Sequence, residues 1–105
     1  MTDAQQVVTT CGNRDDADRI ADAVVTRRLA ACAQVSGPIT SHYHWQGQKE
    51  TSEEWIVTMK TRRDRYDALQ LLILDLHPYE VPQIVATAIV DGSEDYLQWI
   101  YQEVS

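Results

Sequence analysis

The residues with the clearest capacity for chemistry are a cysteine, a histidine and a glutamate that lie far apart in the sequence. Cys11 supplies a soft thiolate and His77 an imidazole, the ligand types that copper(I) and zinc prefer. Glu80, or alternatively Asp15, would add a carboxylate. The chain has no clustered CxxC zinc pattern, so a second interpretation stays open. In that interpretation Cys11 is a small buried hydrophobic residue and His77 caps the end of a helix.

The other histidines and the second cysteine give weaker signals. His42 and His44 are two residues apart, which places both on one face of a strand in a valid ligand geometry. Two histidines alone make a weak site, and a solvated strand face explains them equally well. Cys32 is interpreted as a core thiol, because free cysteine is among the most buried residue types.

Catalytic templates are missing from the sequence. It contains no Gly-rich phosphate loop, no G-x-S-x-G and no H-E-x-x-H. Cys11 and His77 could form a nucleophile and base, but only Glu80 is available to orient them. Lys60 lies on a predicted strand, where it either binds an anion or extends its amine to solvent. We therefore predict neither an enzyme nor an obligatory cofactor.

Composition narrows the class of protein. A chain of 105 residues with 44% hydrophobic residues fits one domain, residues 1–105, around one core. A net charge of −7 and a pI near 4.7 disfavour nucleic acids and anionic membranes as partners. No apolar run approaches a membrane span and the first residues do not resemble a signal peptide. Two cysteines in that context indicate reduced thiols and a cytoplasmic location.

The elements that position these residues follow from periodicity and turn chemistry. Six are predicted in the order β-α-β-β-α-β, followed by one more helix. They are a strand at 7–11, a helix capped by Asn13, a hairpin with arms 31–45 and 49–61, a helix capped by Asp64 and ended by His77-Pro78, a strand at 83–89, and a last helix capped by Ser93.

This order is the split β-α-β, or ferredoxin-like, plan, an α/β (α+β) sandwich with an extra C-terminal helix. Right-handed crossovers place the strands in the order 4-1-3-2 with both helices of the repeat on one face. The end of strand one, Cys11, then shares an edge with residues 77–80. Cys32 lies at the opposite end of the sheet, so the fold forbids a disulfide with Cys11.

The central hairpin is unusually long for one domain. At ~3.3 Å per residue each arm would span roughly 40–50 Å. The first arm is an edge strand that carries Tyr43 and Trp45 on one face, and such an edge promotes aggregation unless something covers it. We therefore predict that the chain assembles with copies of itself. Alternatively, Gly37-Pro38 divides the arm into two short, harmless pieces.

Several segments together resemble the CutA divalent-cation tolerance family. They are Arg28-Leu29-Ala30-Ala31-Cys32-Ala33, Tyr43-His44-Trp45-Gln46-Gly47-Gln48, Lys60-Thr61-Arg62, His77-Pro78-Tyr79-Glu80-Val81-Pro82-Gln83-Ile84 and Asp95-Tyr96-Leu97-Gln98-Trp99-Ile100. The resemblance implies a stable homotrimer of ferredoxin-like subunits whose hairpins pair between subunits. It also implies metal tolerance and copper binding without established enzyme activity.

The resemblance also implies site residues. Cys11 and His77 match the family's reported copper ligands, but Leu76 stands where some members have a second histidine. Trimeric regulators of the PII type share the general architecture and bind small effectors in clefts between subunits. By that analogy of fold, Trp45, Lys60, His77, Tyr79, Glu80 and Tyr96 would line a cleft for a small anionic effector or a protein partner.

Overall fold

The computed structural model describes residues 2–105, which form four strands and three helices. The strands are β1 (Ala4–Cys11), β2 (Cys32–Trp45), β3 (Gln48–Arg62) and β4 (Ile84–Ala88); the helices are α1 (Arg14–Thr26), α2 (Tyr66–Leu76) and α3 (Glu94–Glu103). The sheet is antiparallel throughout, and its order is β2-β3-β1-β4. This confirms the predicted α+β fold and strand order.

The main core lies between the sheet and the first two helices. Apolar residues of β1 and β3 form one buried cluster with the inner ridges of α1 and α2: Val7, Cys11, Ile20, Val24, Val57, Met59, Leu69 and Ile73 are fully buried. Burial of each large aliphatic side chain stabilises the fold by about 1.5–3 kcal/mol. Helix α3 packs elsewhere, where Ile100 and Val104 meet Ala4 and Ala31 at the starts of β1 and β2.

A β-bulge interrupts the long hairpin. Ser36 pairs with Ile56 and Ile39 pairs with Glu54, so Gly37 and Pro38 together oppose one residue of β3. Gly37 has φ +150, and a Cβ there would lie 2.8 Å from the Trp55 ring. Glycine at this position is therefore required by both conformation and space.

Beyond the bulge the hairpin has only its own two strands. Strand β1 pairs with β3 over Trp55–Arg62, and its last residue, Cys11, lies opposite Trp55. The remaining arms, residues 39–45 and 48–54, pair only with each other in the part of the chain that the structure describes. We call this segment, residues 39–54, the distal ribbon. Its existence confirms the predicted long hairpin.

Two sequence-based expectations about local structure are wrong. Asp64 does not cap α2, because Arg62 binds its carboxylate (Nε–Oδ1, 2.9 Å) and a 3-10 turn at Arg63–Arg65 precedes the helix. Cys32 is not a core thiol. Ala33 packs against the main core, so the alternation of the strand turns Cys32 to the other face, where it is half-buried.

Within residues 2–105, no helix combines the length and apolar character that crossing a membrane requires.

Candidate functional site

The ends of β1 and α2 bring Cys11 and His77 together, as the topology predicted. Cys11 is the last residue of β1, and His77 follows the last turn of α2, where its N–H still donates to the Ile73 carbonyl over 2.8 Å. The proline at 78 ends the helix there. Both side chains are buried, and the Cys11 Sγ lies 3.7 Å from the His77 Nε2.

Both ring nitrogens of His77 are already engaged. Nε2 lies 2.8 Å from the Thr10 carbonyl oxygen, and since a carbonyl only accepts, Nε2 carries the proton. Nδ1 in turn accepts the backbone N–H of Tyr79 over 3.1 Å. His77 therefore fastens the turn after α2 to the end of β1, in addition to any role as a ligand.

The surroundings keep both groups uncharged near neutral pH. Burial, followed by the negative charges of Asp16 and Glu54, raises the pKa of the Cys11 thiol to about 11. Burial lowers the pKa of His77, because the imidazolium form loses its hydration. The pair is thus a protonated thiol beside a neutral imidazole, and a metal ion would have to displace the thiol proton.

Glu80 does not join this pair. It is exposed on the turn that follows His77, and within residues 2–105 no three Cys, His, Asp or Glu side chains converge closely enough to hold a metal ion. His42 and His44 also lack a third such ligand, and His42 Nδ1 lies 3.2 Å from the Thr51 hydroxyl. The arrangement offers one soft sulfur–nitrogen pair.

A cleft of about 660 Å³ opens between the distal ribbon and the turn after α2. Its lining combines aromatic, acidic, histidine and small polar side chains: Thr10, Ser41, His42, Tyr43, His44, Trp45, Glu54, Tyr79, Glu80, Val81 and Gln83. Trp45, Tyr79 and Glu80 are three of the residues that the resemblance assigned to an effector cleft. The volume lies within the range of small-molecule sites in proteins.

Lys60 and Tyr96 lie elsewhere in the chain. Lys60 pairs with Cys32 near the start of β2 and donates to the Gln34 side chain over 3.3 Å. The Tyr96 hydroxyl lies 3.7 Å from the Cys32 sulfur. Within one chain these two residues thus form a second group at the far end of the sheet, apart from the cleft.

Glu54 is a buried acidic residue of the cleft that the sequence analysis did not identify. Its side chain is only 8% exposed, and its Oε2 accepts the Tyr79 hydroxyl over 2.8 Å. Burial and this bond to a carboxylate raise the pKa of Tyr79. The sequence did contain a signal for this residue, the pair Glu53-Glu54. Because side chains alternate between the two faces of a strand, one of these glutamates had to lie on the face that carries Tyr43 and Trp45.

Comparison with known proteins gives a consistent result. The family model for the CutA1 divalent ion tolerance protein matches residues 5–103. The Thermus thermophilus divalent-cation tolerance protein CutA is 38% identical over 94 residues, which cover 90% of this chain and 91% of that protein. The mouse protein CutA is 40% identical over 93 residues, which cover 89% of this chain and 52% of the relative, so the chain spans about half the length of that relative.

Solved structures agree with the sequence matches. The crystal structure of CutA from Xylella fastidiosa superposes with a TM-score of 0.96 at 33% identity, covering 99% of this chain and 100% of the other. The Shewanella sp. SIB1 CutA1 structure superposes with a TM-score of 0.94 at 38% identity, covering 98% and 96% of the two chains.

Proposed function

Because the chain belongs to the CutA1 divalent ion tolerance family, we propose that it acts in tolerance to divalent metal ions as a non-enzymatic homotrimer in the cytosol. The observation that carries the assembly is the distal ribbon, which has no third strand among residues 2–105. An isolated two-stranded hairpin is marginally stable in water, so the ribbon needs a neighbour. Light scattering should give three times the chain mass of 12.0 kDa.

The cytosolic location rests on the two free thiols. Cys11 and Cys32 lie at opposite ends of the sheet and neither forms a disulfide. Persistent free thiols are typical of a reducing compartment. Fractionation of the source cells should recover the protein with cytosolic markers, and recovery from an oxidising compartment would contradict the proposal.

For the metal, we propose copper bound weakly as copper(I) at the Cys11–His77 pair. Sulfur and imidazole are ligands that this ion selects. Binding must displace the Cys11 proton and take Nε2 of His77 from the Thr10 carbonyl, so the affinity is low at neutral pH. Leu76 supplies no second imidazole, and Glu80, on the turn after His77, would become the third ligand if that turn moves inward.

Calorimetric titration with copper(I) under reducing conditions tests this site. Cys11→Ser should weaken binding more than His77→Ala does, because the thiolate is the ligand that selects copper(I). Affinity should rise with pH, since the thiol pKa is about 11. Cys32→Ser is the matched control and should leave binding unchanged. Unchanged affinity in the Cys11→Ser, His77→Ala double variant would place the site elsewhere, with His42 and His44 the next candidates.

A second candidate function is regulation through the cleft, in the manner of PII-type trimers. The observation that favours it is the size of the cleft together with its aromatic lining by Tyr43, Trp45 and Tyr79. The anionic effector expected from the resemblance required Lys60, which lies in the other group of residues within the chain. An anion site would therefore have to take Lys60 or another cation from a neighbouring subunit.

A further inference from the structure

The outward face of helix α2 exposes two leucines. Leu69 and Ile73 are fully buried against the core, and the helical period of about 100° per residue places Leu71 on the opposite side of the helix. Leu71 is 67% exposed, and Leu74, three residues further on, is 46% exposed. At this spacing the two side chains are neighbours on the helix surface. An apolar patch with a polar rim is typical of an interaction site.

The residues that border these leucines carry negative charge. Asp67 lies four residues before Leu71 and Asp75 four residues after it, so the three share one face of the helix. Both aspartates are exposed, and among residues 2–105 neither forms an ion pair. The helix itself contains no lysine, arginine or histidine, since Arg63 and Arg65 come before its first residue. The patch is therefore apolar at its centre and acidic at its ends.

This face lies outside the contacts proposed for the assembly. A neighbouring subunit that pairs with the ribbon edge of β2, or with the edge strand β4, extends the sheet in its own plane. Helix α2 covers one face of that sheet, and Leu71 lies on the side of the helix that is turned away from it. Assembly through the sheet edges therefore leaves this face exposed.

The charge and the size of the patch favour one kind of partner. A second copy would bring Asp67 and Asp75 against identical carboxylates, on chains that each carry a net charge of −7. Two leucines also expose far less area than the roughly 800 Å² per partner that a stable interface between globular proteins buries. A single basic amphipathic helix matches the patch better, because it brings apolar side chains at three- and four-residue spacing with cations beside them.

We propose that the outward face of α2 docks a short basic amphipathic helix of another protein. Its apolar side chains lie against Leu71 and Leu74, and its lysine or arginine side chains lie at Asp67 and Asp75. One such helix binds weakly, but a trimer presents the face three times, so a partner with several such helices gains affinity through effective concentration. This inference adds a partner to the proposed metal-tolerance function, and it depends neither on the copper site nor on the cleft.

Two peptides of about four helical turns test the class of partner. One has leucines at three- and four-residue spacing with lysines elsewhere, and the other has glutamate in place of each lysine. Calorimetric titration of the assembled protein should give a dissociation constant of about 0.1–1 mM for the lysine peptide and no binding of the glutamate peptide. The backbone amide NMR signals of residues 67–75 should shift as the lysine peptide binds.

Substitution of the leucines tests the apolar centre of the patch. Leu71→Gln with Leu74→Gln keeps the charge and a similar helix propensity, and it should weaken binding of the lysine peptide about tenfold. The matched control is Val25→Gln, which removes an apolar side chain of similar exposure, 39%, from α1 and should leave binding unchanged.

Substitution of the aspartates tests the acidic rim. Asp67→Asn with Asp75→Asn should weaken binding of the lysine peptide about fivefold, because two ion pairs to the peptide are lost. Asp91→Asn with Glu94→Gln removes the same net charge from exposed positions before and at the start of α3. This control should weaken binding by less than about twofold, since only the overall charge of the protein changes.

Each other outcome overturns the inference. Undiminished binding in the double glutamine variant would reduce the contact to attraction between charges, and an equal loss in Val25→Gln would spread it over the helix layer. Binding of both peptides would reject the acidic rim as the selective feature, and binding of neither would leave the leucines as helix formers without a partner. Circular dichroism and light scattering of the double glutamine variant should show a folded assembly of wild-type mass. A changed mass would place this face between copies of the chain.

Discussion

At the scale of single residues, His77 illustrates how a candidate ligand can also be a structural residue. Its ring joins the Thr10 carbonyl of β1 to the Tyr79 N–H of the following turn. Tyr79 then reaches Glu54 on β3 through its hydroxyl. One buried imidazole thus links the end of β1, the turn after α2 and the base of the distal ribbon. The structure thus shows His77 as the residue that ends the helix, and its role as a metal ligand stays a prediction.

The lowered pKa of His77 predicts a pH dependence of stability. The unfolded chain, with an ordinary histidine pKa near 6.5, binds a proton that the folded protein resists. The stability that neutral His77 contributes is therefore complete above about pH 6.5 and falls as the pH drops below it, until the folded pKa is reached. Urea unfolding between about pH 7.5 and 5.5 should show this loss in the wild type and a smaller loss in His77→Gln.

The matched control for this prediction is His42→Gln. His42 lies on the exposed ribbon, so its removal should leave the wild-type pH dependence intact at the same protein concentration. An equal acid loss in wild type and His77→Gln would contradict the assignment of the effect to His77.

The sequence predicted the meeting of Cys11 and His77 because strand order alone decides which ends share an edge. It did not predict the protonated thiol, because that state follows from burial and then from the charges of Asp16 and Glu54. It also did not predict the engaged ring nitrogens, because these depend on the positions of the Thr10 carbonyl and the Tyr79 N–H. Nor did it predict the carboxylate of Glu54 in the cleft, since an acidic strand residue usually faces solvent.

At the scale of elements, the helix starts show which local signals suffice. Asn13 caps α1 as predicted, because its Oδ1 accepts the Asp16 N–H over 2.8 Å. Ser93 takes the predicted position before α3, but only its backbone carbonyl is used, by the Leu97 N–H. The predicted cap at Asp64 is wrong, because Arg62 binds the Asp64 carboxylate instead. Residue type alone therefore locates a helix start better than it identifies the bonds there.

These two caps predict different costs of removal. Asn13→Ala should destabilise the protein by about 1 kcal/mol per chain, because it leaves an N–H at the start of α1 without its acceptor. Ser93→Ala loses no hydrogen bond from its side chain and should cost clearly less than about 0.5 kcal/mol. Urea unfolding of both variants at one protein concentration measures the difference, and equal losses would show that the Asn13 bond contributes little.

At the scale of the whole molecule, the chain exposes surfaces that a closed assembly would cover. A three-fold ring needs two different surfaces that fit each other, since only a two-fold axis pairs a patch with itself. The ribbon edge of β2 is one candidate surface, and β4, which among the described strands pairs only with β1, provides another open edge. The sequence predicted the need for partners from the length of the hairpin, and the strand order that it also predicted makes β4 the second open edge.

Paired charge substitutions on the two faces of the ribbon test the assembly. Tyr43 and Trp45 lie on one face of β2 and are about half exposed, with the Tyr43 hydroxyl 3.1 Å from Ser52 across the strand pair. Tyr43→Glu with Trp45→Glu should dissociate the proposed trimer, because burying two carboxylates against a neighbour without partners costs several kcal/mol. His42→Glu with His44→Glu places the same two charges on the opposite face of the same strand and should leave the mass of the assembly unchanged.

Light scattering of both variants at micromolar concentration measures the difference, with circular dichroism to confirm folding. A folded trimer carrying both glutamates in place of Tyr43 and Trp45 would exclude this face from the contact between subunits.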